Sequence, residues 1–431
     1  RSTPEILAAA NALIAKNHFR IEKTLIPMLP HGAPVLCHFA VSQTAEAEWI
    51  AGEMQKLCEA GVPYRDMTVL YRAHFVSRAV EEVLLAAKIP YTIYSGVQFF
   101  DRAEIKDALS YLRMVVYRDD LSFRRIANTP RRNLGKSRMA RLEAYAAEKR
   151  CSLYTALCDN IDTPEFKTTK GRQFISLVES FAAGQAARPI SEVLSELLDR
   201  SGYETMLRTE GSQERLDNLA ELKQSIYEYE TTCGEESTPE AYLARVALMT
   251  NTDTAARGDR VKLMTVHAAK GLEFPYVFLC GMNEGVFPSR KVRTLPGMEE
   301  ERRLAFVALT RAERGLYLSE ADGWNFDGTS RFPSRFLLDI GRDALTYTKE
   351  PREGLIRETA RAVADSLARL SAEEQAAAFA VGDRVRHAVF GDGTVLAADT
   401  DEKCYTIRFD GMETPRAIAF RVRLVRPDAE N

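Results

Sequence analysis

Residues 261–288 read VKLMTVHAAKGLEFPYVFLCGMNEGVFP, and the reading of this stretch decides the fold. It holds two short apolar runs, Val261 to Val266 and Tyr276 to Cys280, rich in branched and aromatic residues as buried strands are. Between them lies a polar loop from His267 to Pro275. Open α/β sheets bind ligands outside the carboxyl ends of their strands, which predicts Thr265, His267, Lys270 and Glu273 together at that edge. Lys270 and His267 can meet phosphates. Glu273 can accept hydrogen bonds from sugar hydroxyls or orient a basic neighbour, and Gly271 frees the backbone for a tight turn. A solvated crossover loop of any α/β protein would use the same residues.

A second stretch, EEERRLAFVALTRA at 299–312, leads into the strand-like Gly315 to Ser319. Leu304, Val307 and Ala308 share one helical face. Arg311 falls at the helix end, where its fork of donors could reach a phosphoryl group. Glu299 to Arg303 also reads as a helix surface with i,i+4 pairs.

Together the two stretches resemble the Rep/UvrD/PcrA family of superfamily-one DNA helicases. The resemblance implies ATP hydrolysis coupled to 3′-to-5′ movement on single-stranded DNA. It makes Arg311 the arginine finger, puts Glu273 on the ribose beside Gly271, and sets Thr265, His267 and Lys270 on the DNA side. Arg1 matches the arginine that ends the family's NYRS motif and contacts the terminal phosphates of ATP. The chain opens at Arg1 without a methionine and is read as a fragment.

Upstream, Met67 to Tyr71 is a short strand running into RAHFVSR and a helix, a natural anion site. The family's YRxxxxSR segment lines the DNA path, and Tyr71, Arg72, Ser77 and Arg78 match it; an ordinary βα loop is the other reading. Residues 99–107, FFDRAEIKD, resemble the family's FFxRxEIKD. Phe99 and Phe100 could stack on bases or fill a core, and at least one is expected in the core.

From Ala108 to about residue 250 the pattern is nearly all helical, so an insertion splits the α/β lobe. In the family such an insertion contacts duplex DNA. Inside it, NTPRRNLG at 128–135 stands where the family has NTPxRGIG, so Asn133 replaces a glycine and Gly135 remains. Backbone amides at this turn, flanked by Arg131 and Arg132, suit a duplex phosphate. Gly135-Lys136-Ser137 is no P-loop, since the position five before Gly135 is Pro130 and no buried strand leads into it. No apolar strand ends in an Asp-Glu pair for magnesium. The chain therefore lacks both elements a P-loop ATPase needs, and by itself should neither bind ATP-Mg²⁺ nor hydrolyse ATP.

Residues 346–378 are charged and alanine-rich and read as a partly helical linker. Alternation and an FGDG turn after residue 379 predict a small Tudor- or SH3-like β-barrel, which in the family binds RNA polymerase. The expected fold is thus an α/β, RecA-like parallel-sheet lobe split by an all-helical insertion, followed by that barrel. The expected divisions are 1–100 and 251–345 for the lobe, 101–250 for the insertion, 346–378 for the linker and 379–431 for the barrel.

Composition sets outer bounds. The 431 residues exceed one ordinary domain, and a net charge of -3 points to local basic patches rather than a generally cationic DNA binder. Seven cysteines without a CxxC pair argue against zinc and against a disulfide framework, and fit a reducing cytoplasm. No apolar run reaches about 18 residues, so no membrane span is expected. Expected partners are single-stranded DNA and a duplex junction. The alternative is a non-catalytic adaptor joining DNA to RNA polymerase.

Overall fold

The computed structural model describes residues 2–18, 25–183, 188–234, 237–250, 258–376, 379–387, 389–399, 404–412, 414–419, 422 and 424–427. Arg1, residues 255–257, Arg421 and Arg423 lie outside them. The chain divides into two compact units, residues 1–290 with 301–359, and residues 291–300 with 360–431.

The first unit is built on seven strands: β1 Leu36–Ala40, β2 Met67–Tyr71, β3 Tyr91–Ile93, β4 Val261–Thr265, β5 Phe274–Leu279, β6 Ala312–Ala321 and β7 Thr346–Tyr347. Their order is β3-β4-β2-β5-β6-β1-β7, and every neighbouring pair is parallel. β2 lies between β4 and β5, and all five of its residues are buried, which explains why MTVLY is apolar but for Thr68. Helix Gln43–Glu59 starts where Ser42 Oγ accepts from the Ala45 amide at 3.1 Å, and it buries Ala47, Ile50, Ala51 and Met54 at helical spacing. These meet Met67, Val69, Leu263 and Phe278 in one core. β7 falls inside the stretch read as a linker, and most of the remainder is one helix, Glu353–Ala376.

Between β3 and β4 the chain is helical, with a core of its own running from Phe99 to Val246. Phe99 and Phe100 both belong to that core. Helix Gly171–Ala182 contributes Phe174, Leu177, Val178 and Phe181, an i, i+3, i+4, i+7 stripe. Helix Tyr203–Thr209 is too short for its buried Tyr203 and Leu207 to mark a repeat.

Buried charge joins this helical block to the sheet. Arg78 on helix Ser77–Ala86 is fully buried; its Nε donates to Glu221 at 2.6 Å, and its Nη atoms to Glu228 at 2.9 Å, Glu82 at 3.2 Å and Gln43 at 2.8 Å. Beside it Arg102 donates to Asn218 and to the His74 carbonyl, at 2.9 and 3.0 Å.

A second buried polar cluster closes the carboxyl end of β5 and β6. Glu46 accepts from the Gly281 amide and Ser319 Oγ, and Glu320 accepts from Asn283 Nδ2 at 3.0 Å. Burial, with Glu46 and Asp322 adding to it, pushes the Glu320 carboxyl up to about 9. A folded value above the ordinary 4.5 means the stabilising contribution is complete below that pH and is lost as pH rises through about 9. The thermal midpoint should therefore fall between about pH 6 and pH 9, and Glu320→Gln should flatten that slope. Identical slopes for variant and parent would remove Glu320 as the cause.

The second unit holds an antiparallel sheet of β8 Arg384–His387, β9 Gly391–Asp399, β10 Cys404–Phe409, β11 Arg416–Ala419 and β12 Leu424–Val425, ordered β11-β10-β9-β8-β12. The FGDG turn joins β8 to β9, with Arg386 paired to Asp392. Gly393 is required there, because a Cβ would stand 2.8 Å from the Arg408 carbonyl oxygen. Val385, Val395, Tyr405, Ile407 and Phe409 form the small core.

Candidate functional site

The strand register separates the candidate residues onto two edges of the sheet. Tyr71 pairs with Thr265, so both end at the carboxyl edge. Tyr276 pairs with Met67, the first residue of β2, and Phe274 pairs with Ala312, the first of β6. Phe274 therefore starts at the amino edge, and residues 266–273 travel from one edge to the other. The expectation that Glu273 shares the carboxyl edge with Thr265 and His267 is corrected: Glu273 stands next to Phe274, at the opposite end. β4 and β5 are parallel with β2 between them, so the segment joining them must return to the starting end of the sheet.

At the amino edge Arg311 ends the turn after helix Leu295–Leu309. Its Nη1 donates to the Leu272 carbonyl at 2.7 Å, Nε to the Val307 carbonyl at 3.1 Å, and Nη2 to Thr310 Oγ1 at 3.4 Å. Its own carbonyl accepts from the Phe274 amide at 2.9 Å, which brings half-buried Glu273 beside it. Gly271 has φ +83 with open space where a Cβ would stand, so only backbone conformation favours glycine there. Ser2 Oγ donates to the Ala312 carbonyl at 2.6 Å, which ties the start of the described chain to the residue after Arg311.

At the carboxyl edge Arg72 chelates Glu301, with Nε and Nη2 at 2.7 to 3.1 Å from its oxygens, and Glu301 also accepts from the Ser289 amide. His267 and Lys270 are exposed. Burial of part of the ring, then the positive charges of Arg72 and Lys270, lower the His267 pKa, so the imidazole is neutral at pH 7. A neutral ring beside two cations can donate one hydrogen bond to a phosphate without adding charge. Thr265 Oγ1 accepts from the Ala268 amide at 3.2 Å. Ser77, Tyr71 and Arg78 point inward: Ser77 Oγ donates to the His74 carbonyl and to Glu81, and Tyr71 is wholly buried. Ser77 and Arg78 are thus committed to the joint with the helical block rather than to an open surface.

In the helical block, Asn128 Oδ1 accepts from the amides of Arg132 and Leu134 at 2.9 and 3.0 Å and so shapes the 128–135 turn. Asn133 takes φ +61, a conformation asparagine adopts more readily than most side chains, so it fills a glycine's place without breaking the turn. Arg131, Gly135 and Lys136 are exposed. Arg132 is buried; it donates to the carbonyls of Ile126 and Thr129 and to the Tyr111 hydroxyl, 4.9 Å from the Phe174 ring centre. Its guanidinium is used inside the turn, and only Arg131 of the pair faces solvent.

Arg131 opens onto a cleft of about 1120 Å³ that Lys167, Lys170, Arg172 and Arg200 also line. Lys167, Lys170 and Arg172 fall within the single stretch 167–172, and Arg131 and Arg200 reach the cleft from two other segments. Glu301, which holds Arg72, was read only as part of a helix surface. A third feature not foreseen is the 322–333 segment, where Trp324 bridges to Ser330 and stays 62% exposed. Among the described residues no cluster of His, Cys, Asp or Glu could hold a metal ion, and no helix is long and apolar enough to cross a membrane.

The first unit is thus a parallel α/β sheet with a helical block between β3 and β4, polar groups on both edges and an arginine at a helix end. A family profile described as UvrD-like helicase C-terminal domain matches residues 1–323, and the chain belongs to this family. It is 36% identical over 425 residues to an ATP-dependent DNA helicase PcrA of Staphylococcus epidermidis, covering 95% of this chain and 58% of that protein. The same figures of 36%, 95% and 58% hold over 427 residues for a protein of that name from Staphylococcus aureus. The chain thus spans somewhat over half the length of the curated relatives it matches.

Proposed function

We propose that this chain is the carboxyl-terminal half of an ATP-dependent DNA helicase, moving 3′ to 5′ on single-stranded DNA and unwinding duplex in cytoplasmic DNA repair or replication. The observation that carries the reading is the two-edged sheet: Arg311 and Glu273 at one end, Arg72, Thr265 and His267 at the other. Arg311 stabilises the phosphoryl-transfer transition state, and Glu273 beside Gly271 holds the ribose. Arg1 reaches the terminal phosphates. The Mg²⁺-ATP chemistry needs the Walker residues of the other, first lobe, to which we assign the metal. Thr265, His267, Lys270 and Arg72 follow the single strand, with Tyr71, Ser77 and Arg78 supporting that edge from within.

In this reading residues 1–100 and 251–345 form the second RecA-like lobe, 101–250 an inserted duplex-binding subdomain, 346–378 a linker and 379–431 a Tudor-like module that docks on RNA polymerase. Arg131 and the amide side of Gly135 meet the duplex, while Arg132 keeps the turn in shape. Arg131→Ala is expected to weaken duplex-junction binding across sequences and lower the salt slope by about one. An unchanged slope would take Arg131 out of the interface.

The deciding experiment is steady-state ATP hydrolysis by this chain with and without single-stranded DNA, repeated with the full-length protein. Turnover only in the full-length protein supports half of a two-lobed motor. Turnover by the chain alone, or none in either, overturns it, the latter favouring an adaptor.

A further inference from the structure

We infer that Glu301 is a positioning residue for single-stranded DNA: it holds the Arg72 guanidinium side-on, so that the remaining nitrogen, Nη1, meets a strand phosphate. The inference rests on the reading of the carboxyl edge as the DNA path.

Arg72 follows the last residue of β2, and Glu301 lies on helix Leu295–Leu309. Arg72 Nε stands 3.1 and 3.0 Å from the two Glu301 oxygens, and Nη2 stands 2.7 Å from Oε1. Two of the three guanidinium nitrogens are therefore used along one edge of the plane. Among the described residues Nη1 donates to nothing, and the side chain is 22% exposed. The carboxylate is fixed in its turn: Glu301 is buried, and its Oε2 accepts from the Ser289 amide at 3.1 Å. A planar fork gripped through Nε and Nη2 cannot turn without breaking the chelate.

The pair stands beside the exposed part of this edge. Behind burial, the charges of Arg72 and Lys270 lower the His267 pKa and that of Glu301 raises it, and both His267 and Lys270 face solvent. An arginine ordered in advance loses less side-chain entropy when it meets a phosphate. The same carboxylate offsets the arginine's charge, and by that effect alone it would oppose a polyanion. The two roles have opposite signs, so one measurement separates them.

The test follows the anisotropy of a fluorescent oligothymidine titrated with the full-length protein at several salt concentrations. Glu301→Gln keeps the shape and removes the charge. Glu301→Asp keeps the charge and draws the oxygens back by one methylene. Both are expected to weaken binding about tenfold and to lower the salt slope by about one, as Arg72→Ala does. Neither should add to the loss when Arg72 is already alanine. Tighter binding by Glu301→Gln, or parental binding by Glu301→Asp, would make Glu301 a counter-ion and overturn the inference. Equal losses with and without Arg72 would overturn it as well, since Glu301 would then act elsewhere. Arg72→Ala separates the two levels. If that variant binds as the parent does, the reading of this edge fails; if it binds weakly while Glu301→Gln binds as the parent does, only the positioning role fails.

Discussion

Arg311→Ala in the full-length protein is expected to lower DNA-stimulated ATP hydrolysis by about 10³-fold or more while nucleotide binding largely survives. Three acceptors from Leu272, Val307 and Thr310 hold the guanidinium at the strand edge, and among the described residues it bonds no carboxylate. A guanidinium bonded only to neutral acceptors keeps its full positive field for an incoming phosphoryl group. Its effect falls on the transition state, where charge spreads over the transferred oxygens, so kcat drops much more than affinity. Arg311→Lys should recover little, because an ammonium cannot keep the three acceptors and reach a phosphate together. Turnover within about threefold of the parent would remove Arg311 from the chemistry.

Arg78→Ala is expected to destabilise the first unit by about 3–5 kcal/mol, the usual effect of removing one partner from a buried charge cluster. Glu221 is buried, and Glu82 and Glu228 nearly so; without Arg78, Glu221 and Glu228 lose their ion-pair partner and Glu82 keeps only Arg245. Urea unfolding followed by circular dichroism measures the loss. Glu221 and Glu228 lie on helix Gln213–Cys233 of the helical block, and Arg78 on the helix after β2, so the loss should also loosen the joint between the two. A change below about 1 kcal/mol would mean the cluster is solvated in practice. A variant of parental stability but weakened DNA affinity would return Arg78 to the DNA path.

Much of this architecture was legible in the residues. The apolar runs at 67–71, 261–266 and 276–280 became parallel strands because only strands buried on both faces read so continuously. The helical stretch from 108 to 250 carried 3.6-residue stripes strong enough to show a separate core. The FGDG turn pointed to the hairpin of β8 and β9. What stayed hidden depended on contacts across long separations. Arg78 looks like a surface phosphate ligand until Glu221 and Glu228 arrive from a distant helix. Arg131 and Arg132 are adjacent in sequence, yet one faces solvent and the other is bonded to carbonyls.

By itself, then, the sequence determined the element types, the helical interruption of the sheet and the residues of candidate chemistry, because periodicity and side-chain chemistry are local properties. Tertiary structure decided which of those residues share a place. Strand order put β2 between β4 and β5, and the parallel run of all three sent Glu273 to the amino edge with Arg311 while Thr265 and His267 stayed at the carboxyl edge. Strand order is set by packing between distant segments, and no local pattern encodes it.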